Sequence, residues 1–412
     1  MKKHGPRMTL LLLCALFGTA GHVCADDWPQ WRGLRRDGAT TESIGTNWPD
    51  GRPREIWRAQ VGPGHAPVSV AGGKALTLGY TNQGDTVWCF DAAGGKLTWR
   101  FDYPAVARLP GEPGNGAFDG PHAAPLIHKG RVYTLSRDGK VNCLALDTGE
   151  LVWKRDLQSE LKAKLPECGF SGAPLAVDDM IVVSVGATGA ALDAATGQTR
   201  WHSGTPIAGY AAPVLATDGA GRRRLLFFAF KELVSVNPAD GGKEWALPWP
   251  TQFGANVADP LVVGDAVFIS SAYGRGCASV DLASGTVRWQ STAVRSQCSP
   301  LLLYEGNVFG FDGFINYAPA GQAFVCLEPG KGAVRWRKDG MAGQVIRAND
   351  RLVMLMITGD LVIARASATA YEELARAHVV PPEECPMPPV LVNGRLYVRT
   401  GAGLLACLDV AP

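Results

Sequence analysis

A nine-residue pattern, Asp-x-x-x-Gly-x-x-x-Trp, recurs along the chain and leaves few architectures open. It reads Asp91…Gly95…Trp99, Asp193…Gly197…Trp201 and Asp281…Gly285…Trp289, with variants Asn237…Gly241…Trp245 and Glu328…Gly332…Trp336. A copy two residues shorter, Asp147…Gly149…Trp153, keeps Gly four before Trp. Each copy predicts a hairpin: an apolar strand ends at the acid, the side chain caps the turn, Gly takes the positive-φ position, and a second strand carries the Trp. At such a repeated spacing Trp57, Trp99, Trp153, Trp201, Trp245, Trp289 and Trp336 are structural docking residues.

Upstream of each hairpin lies a further pair of apolar runs split by a turn, as in Pro125–Thr134 and Pro260–Ile269. Matching pairs open at Pro67, Pro174, Pro213, Pro300, Gln344 and Pro389, which makes eight four-strand units. In the seventh, Leu374 stands where the Trp belongs, and 371–376 is expected to be locally helical. The eighth ends at Asp409 before any Trp strand, while Arg54–Gln60 resembles Lys96–Asp102, so the N-terminal strand is expected to complete the last unit. Successive Trp residues lie 42 to 54 apart, near the roughly 40–50 residues of a four-stranded propeller blade. The expected fold is all-β: an eight-bladed propeller closed by its N-terminal strand, a ring that leaves no long sheet edge. A length of 412 residues would otherwise suggest two or three domains at roughly 150 residues each. The repeat instead predicts a signal peptide over 1–25, an extension over 26–53 containing Trp28-Pro29-Gln30-Trp31-Arg32-Gly33, and one propeller over 54–412.

Residues 1–25 combine a basic start, an apolar run from Leu10 to Phe17 and Val23-Cys24-Ala25, the form of a secretory signal cleaved near Ala25. No apolar run reaches the ~20 residues needed to span a bilayer as a helix. Loss of Lys2, Lys3 and Arg7 takes the net charge from +2 to −1. With no basic stripe beyond Arg222-Arg223-Arg224, nucleic-acid binding is excluded. The expectation is an exported protein, periplasmic or secreted, and a monomer. Cys89, Cys143, Cys277, Cys326 and Cys407 fall near one position of the repeated strand and read as buried thiols, whereas Cys168, Cys298 and Cys385 sit in loops.

Ala191-x-Asp193-x-x-Thr196-Gly197-x-x-x-Trp201 resembles the tryptophan-docking motif of the quinoprotein dehydrogenase propellers, the PQQ-like repeat, and six blades carry versions of it. Trp28–Gly33 with Arg36-Asp37-Gly38, Phe253–Asn256, Phe309–Gly313 and Glu372–Ala377 resemble a group of exported bacterial PQQ-binding-like propellers, similar in architecture to the non-enzymatic assembly factor BamB. The dehydrogenase resemblance implies PQQ with calcium. Against it, the chain has no adjacent Cys-Cys pair and lacks most of the long inserted loops, so no cofactor is firmly expected; Asn256, Asp259 and Asp312 are the oxygen donors available for calcium.

No His-Glu-x-x-His, Cys-x-x-Cys or Gly-x-Ser-x-Gly grouping is present, so neither a metal site nor a catalytic residue is specified. Propeller geometry nevertheless converges the residues just before each innermost strand on one channel mouth. These are His65, His122, Cys168 with Ser171, Tyr210, Asn256 with Asp259, Gln297 with Cys298, Gln344, and Cys385 with Met387. The middle loops add Tyr273, Arg275 and Asp312. The leading expectation is a non-enzymatic scaffold that binds a partner protein or saccharide at this rim. The alternatives are a PQQ-dependent oxidoreductase and an outer-membrane protein assembly factor. Trp28 and Trp31 are expected to pack across the closing blade, and 103–121 to form a long rim loop.

Overall fold

The structure, a computed structural model, describes residues 1, 27–82, 84–109, 112, 119–203, 207–313 and 321–412. The expected signal segment falls outside them, as do most of 110–118 and residues 314–320 of one middle loop. Eight antiparallel sheets, each built from an innermost, two middle and an outermost strand, form an eight-bladed propeller. Blade 1 comprises Ser69–Ala71, Lys74–Thr81, Gly84–Asp91 and Leu97–Pro104. Blades 2 to 7 begin at Leu126, Leu175, Val214, Leu261, Leu302 and Gly343. Blade 8 joins Val390–Val392, Arg395–Arg399 and Leu404–Asp409 to Arg54–Gln60 from the other end of the chain. The ring closes on hydrogen bonds between first and last strands, as expected.

The full-length Asp copies cap their turns: Asp91 Oδ1 accepts from Gly94 N at 2.6 Å, Asp193 Oδ1 from Thr196 N at 2.8 Å, and Asp281 Oδ1 from Ser284 N at 2.9 Å. The Trp does not dock on its own turn. Trp99 donates Nε1–H to Leu146 O of blade 2 at 2.9 Å, Trp153 to Ala194 O of blade 3 at 3.1 Å, and Trp245 to Leu282 O of blade 5 at 3.1 Å. Trp57 reaches Ala92 O of blade 1 at 3.2 Å, which carries the chain of docking across the closure. The repeat Gly is the flat seat for the neighbour's indole: a Cβ on Gly285 would lie 2.7 Å from the Trp245 ring. Opposite each Trp the partner strand presents a small residue, Cys89, Cys143, Ala191, Ser235, Ser279, Cys326 or Cys407. That pairing accounts for four of the buried thiols, and the fifth, Cys277, pairs with Ser291.

The core lies between blades. Leu175, Val177 and Trp201 of blade 3, for example, pack on Leu225, Phe227, Val234 and Val236 of blade 4. Blade 7 departs from the helical expectation: Glu373–His378 is its outermost strand, paired with Asp360–Ala364. Half-buried Leu374 packs into the apolar cluster beneath blade 8, so strand pairing and a core neighbour override the helix-favouring composition.

Candidate functional site

The channel at the centre of the ring is occupied by the chain itself. Residues 27–45 reach both the ends of innermost strands and the residues that precede them, and they bond to all eight blades. Trp28 pairs with Val70 of blade 1, and Pro29 O accepts from Ile127 N of blade 2 at 2.7 Å. Arg36 donates to Pro174 O of blade 3 at 3.1 Å and Pro213 O of blade 4 at 3.3 Å. Trp31 Nε1 donates to Asp259 Oδ2 before blade 5 at 2.5 Å, and Arg32 to Leu301 O of blade 6 at 2.7 Å. Gly38 O accepts from Arg347 N of blade 7, Ala39–Thr40 adds a parallel strand there, and Glu42 takes Asn393 N and Gly394 N of blade 8. A cavity of only about 10 Å³ remains between this plug and blades 1, 6, 7 and 8.

The Trp-Pro-Gln-Trp-Arg-Gly motif is thus explained by the channel. Trp28 is buried with the closing blade, as expected, but Trp31 is not: it lies on Ala124, Ala173 and Ala212, the small residues that precede the innermost strands of blades 2, 3 and 4. Arg32 and Arg36 sit at positive φ, with Gly33 and Gly38 turning the backbone between them. Desolvation pulls the Arg36 guanidinium down to about 10 and lowers Arg32, with Asp259 opposing both shifts. Burial pushes the Asp259 carboxyl up against the pull of the two arginines.

At the rim, the residues singled out in the sequence divide into two sorts. One sort is engaged internally. Asn256, fully buried, donates to Ala229 O at 2.8 Å and Trp249 O at 3.2 Å and accepts from Ser271 Oγ at 2.9 Å. Asp312 takes two bonds from the Arg295 guanidinium, one from its backbone N–H and one from Arg337. Burial raises its carboxyl, and these bonds outweigh that and hold it below the ordinary range. Asp259 is shared between Trp31 and Ala212 N. Tyr210 receives Cys168 N at 3.4 Å, its carbonyl receives Ser171 Oγ at 3.0 Å, and burial drives its phenol upward. Arg399, put forward by no motif, is buried and binds Leu78 O at 2.7 Å, Gly62 O, Gly64 O and Met387 Sδ. Arg137 similarly ties Glu112 and Ala107 to Cys168 O.

The other sort contact one another. His65 and His122 meet edge to face at 5.5 Å, both half-buried. Glu383 accepts from Gly401 N close to His65, and burial pushes its carboxyl up to about 7. Gln344 Nε2 donates to Cys298 O at 3.0 Å. Across the rim, Arg275 stacks 3.5 Å over the buried Trp249 ring, and Gln297 Nε2 reaches Tyr273 Oη at 3.5 Å. Tyr273 is 39% exposed and packs edge to face, at 5.6 Å, on Phe253, which is 56% exposed. Both have left-handed backbones, φ 54° and φ 60°, a conformation that costs a bulky residue of order 1–3 kcal/mol and concentrates at functional positions. Phe253 was not singled out as a rim residue: it entered only within the Phe253–Asn256 resemblance, which assigns it no role.

These contacts decide how the site suits a calcium-bound quinone. Calcium needs six to eight oxygen donors turned to one point. The donors of Asn256, Asp259 and Asp312 are turned instead to backbone groups, an indole and two arginines, and among the described residues no cluster of three His, Cys, Asp or Glu side chains is arranged to hold a metal. The residues present do not fit that group.

Comparison with known proteins agrees with the architecture. Residues 112–338 match the family model described as outer membrane protein assembly factor BamB. The BamB of Burkholderia pseudomallei (strain K96243) is 26% identical over 356 residues, covering 74% of this chain and 86% of that protein. Quinohemoprotein alcohol dehydrogenase ADH-IIG of Pseudomonas putida is 26% identical over 166 residues, and the chain spans 22% of its length. In structure, BamB from Moraxella catarrhalis superposes with a TM-score of 0.63 at 15% identity, over 87% of this chain and all of that one. Quinohemoprotein alcohol dehydrogenase from Comamonas testosteroni gives 0.69 at 13%, over 94% and 81%. With a family match over more than half its length and an eight-bladed ring to carry it, this chain belongs to the outer membrane protein assembly factor BamB family.

Proposed function

We propose that the protein is an exported, non-enzymatic scaffold that docks a partner protein on its funnel rim and serves outer-membrane protein assembly. One observation carries the reading: Phe253 and Tyr273 are presented to solvent as a contacting aromatic pair, on backbone conformations that a merely connecting loop would avoid. Rigid aromatic residues at the centre of a contact supply most of the energy of protein association. Arg275, held on Trp249 beside them, adds a cation at the edge of the same patch. The plug supports a scaffold role too, since it fills the channel in which a small substrate would otherwise lie.

The test is complementation. Removing the gene from its host should lower outer-membrane β-barrel protein levels, and the wild-type chain should restore them. The Phe253→Ser/Tyr273→Ser double variant, folded by circular dichroism, should not. Full restoration by that variant would remove the docking site from the rim. In parallel, PQQ with calcium is added to the purified protein: no thermal shift is expected, and saturable binding with dye reduction by alcohols would overturn the non-enzymatic reading.

A further inference from the structure

Buried polar side-chain atoms nearly all find a hydrogen-bond partner in a folded chain, so several without one in a single place call for a ligand, an ion or water. Four such atoms lie along one stretch of the rim: Arg275 Nε, Gln297 Oε1, Ser299 Oγ and Gln344 Oε1. Gln297 is 8% exposed, and Ser299 and Gln344 are 2% exposed. Hydrogen bonds bring these residues together. Gln344 Nε2, from the first strand of blade 7, donates at 3.0 Å to Cys298 O, the carbonyl of the residue between Gln297 and Ser299. Gln297 Nε2 reaches Tyr273 Oη at 3.5 Å, two residues before Arg275. Each carboxamide has thus committed its nitrogen and keeps its oxygen as an open acceptor. Tyr273 is exposed, so solvent comes within one hydrogen bond of the Gln297 amide. The terminal torsion of a Gln is soft, and a turn about it brings Oε1 outward.

We propose that Gln297, Ser299 and Gln344, with Arg275 Nε and the Tyr273 ring at their edge, form a subsite for a neutral saccharide. The chemistry of the open atoms selects this class: two acceptors, one donor, and one hydroxyl that can be either. A phosphate or carboxylate only accepts and would leave both Gln oxygens unmet. A metal or ammonium ion would meet the Arg275 guanidinium, while Asp312, the acid bonded to Arg295 of the Gln297 loop, is already taken by Arg295 and Arg337. An extended peptide brings the N–H groups of one side only about every 7 Å. A sugar hydroxyl both donates and accepts, and a pyranose carries several on neighbouring carbons. It can therefore donate to the Gln oxygens while accepting from Arg275 Nε and Ser299 Oγ. The carbon face of the same ring packs on the Tyr273 side chain, the usual division of labour in a small-molecule site between aromatic walls and a few polar groups. The subsite shares Tyr273 with the proposed docking patch but needs no partner protein, so either reading can fail alone.

The purified protein is titrated with the methyl β-glycosides of glucose, galactose, mannose and N-acetylglucosamine, and binding is followed by saturation-transfer NMR and calorimetry. At least one should bind saturably, with a Kd on the order of 1 mM, the value for a ligand of about 13 non-hydrogen atoms at ordinary efficiency. Its permethylated counterpart keeps the ring and the acceptor oxygens but has no hydroxyl to donate. It should show no saturable binding, because a site built to hydrogen-bond a hydroxyl discriminates strongly against the analogue lacking it. Gln297→Met and Gln344→Met, which keep side-chain length and remove the acceptor, should each weaken the parent glycoside by about tenfold. Failure of all four glycosides to saturate, a permethylated glycoside that binds as tightly as its parent, or an unchanged Kd in both variants would each overturn the proposal. The first two outcomes are read on the wild-type chain and need no variant to fold.

Discussion

Replacing Asp259 by alanine removes three things at once: the acceptor of the 2.5 Å bond from Trp31, the acceptor of the 2.8 Å bond from Ala212 N, and the anion that faces Arg32 and Arg36. Arg32 keeps its carbonyl partners but loses a nearby opposite charge, and leaving a buried charge uncompensated costs about 3–5 kcal/mol. At roughly 2.1 cal/mol/K per residue, a propeller of about 380 folded residues unfolds with an entropy near 0.8 kcal/mol/K, so the melting midpoint should fall by about 4–6 °C. Differential scanning calorimetry on the wild type, Asp259→Ala and Trp31→Phe measures this. Trp31→Phe keeps the ring on its three alanines and removes only the donor, for about 1–3 kcal/mol. Adding Arg36→Met to Asp259→Ala removes one of the stranded cations and should recover part of the loss. A midpoint for Asp259→Ala within about 1 °C of the wild type would refute the claim that this carboxylate anchors the plug, and would return Asp259 to the list of ligand-binding candidates.

The remaining expectations are briefer. Gly285→Ala combines a φ of +74° with a Cβ 2.7 Å from the Trp245 indole, whereas Gly264→Ala meets a φ of +60° with open space around it. Denaturant titration should therefore show a loss of about 3 kcal/mol for the first and about 1 kcal/mol for the second, and equal losses would undo the seat interpretation. Asn256→Ala strands two buried carbonyls and Ser271 Oγ and should cost about 2–4 kcal/mol, while Phe253→Gly relieves a left-handed bulky residue and should raise stability by up to about 1 kcal/mol. Glu383 has its carboxyl raised from 4.5 to about 7 by burial. Between those values the folded state holds a proton that the unfolded chain has released, so the stability it contributes is full below pH 4.5 and is lost as pH rises through 7. Wild type minus Glu383→Gln, followed by thermal unfolding from pH 4.5 to 8, should show a differential of about 2–3 kcal/mol after allowing for partial exposure. A flat difference would show that this carboxyl is solvated.

How much of this was legible beforehand follows from which interactions are local. The Asp-x-x-x-Gly-x-x-x-Trp period, read with the stranded Arg54–Gln60 segment, determined the all-β class, the eight blades, the four strands in each and the closure at blade 8, because turn chemistry and strand alternation act over a few residues. The same reasoning put five buried cysteines near one position of the repeated strand without showing why. The reason is a cross-strand pair, Cys89 with Trp99 or Cys407 with Trp57. It misjudged 371–376, where composition favoured a helix but the neighbouring strand and the core beneath blade 8 decided otherwise.

What only the tertiary structure decided concerns contacts between residues far apart in the chain. That each indole docks on the next blade rather than its own turn, and that Trp31 crosses the channel to an acid 228 positions away, are consequences of ring closure. A period can be counted along a sequence because its causes repeat locally. The contents of the channel cannot, since they depend on eight blades curving until their innermost strands face one another and a single short segment, with two arginines and two indoles, fits the space that is left.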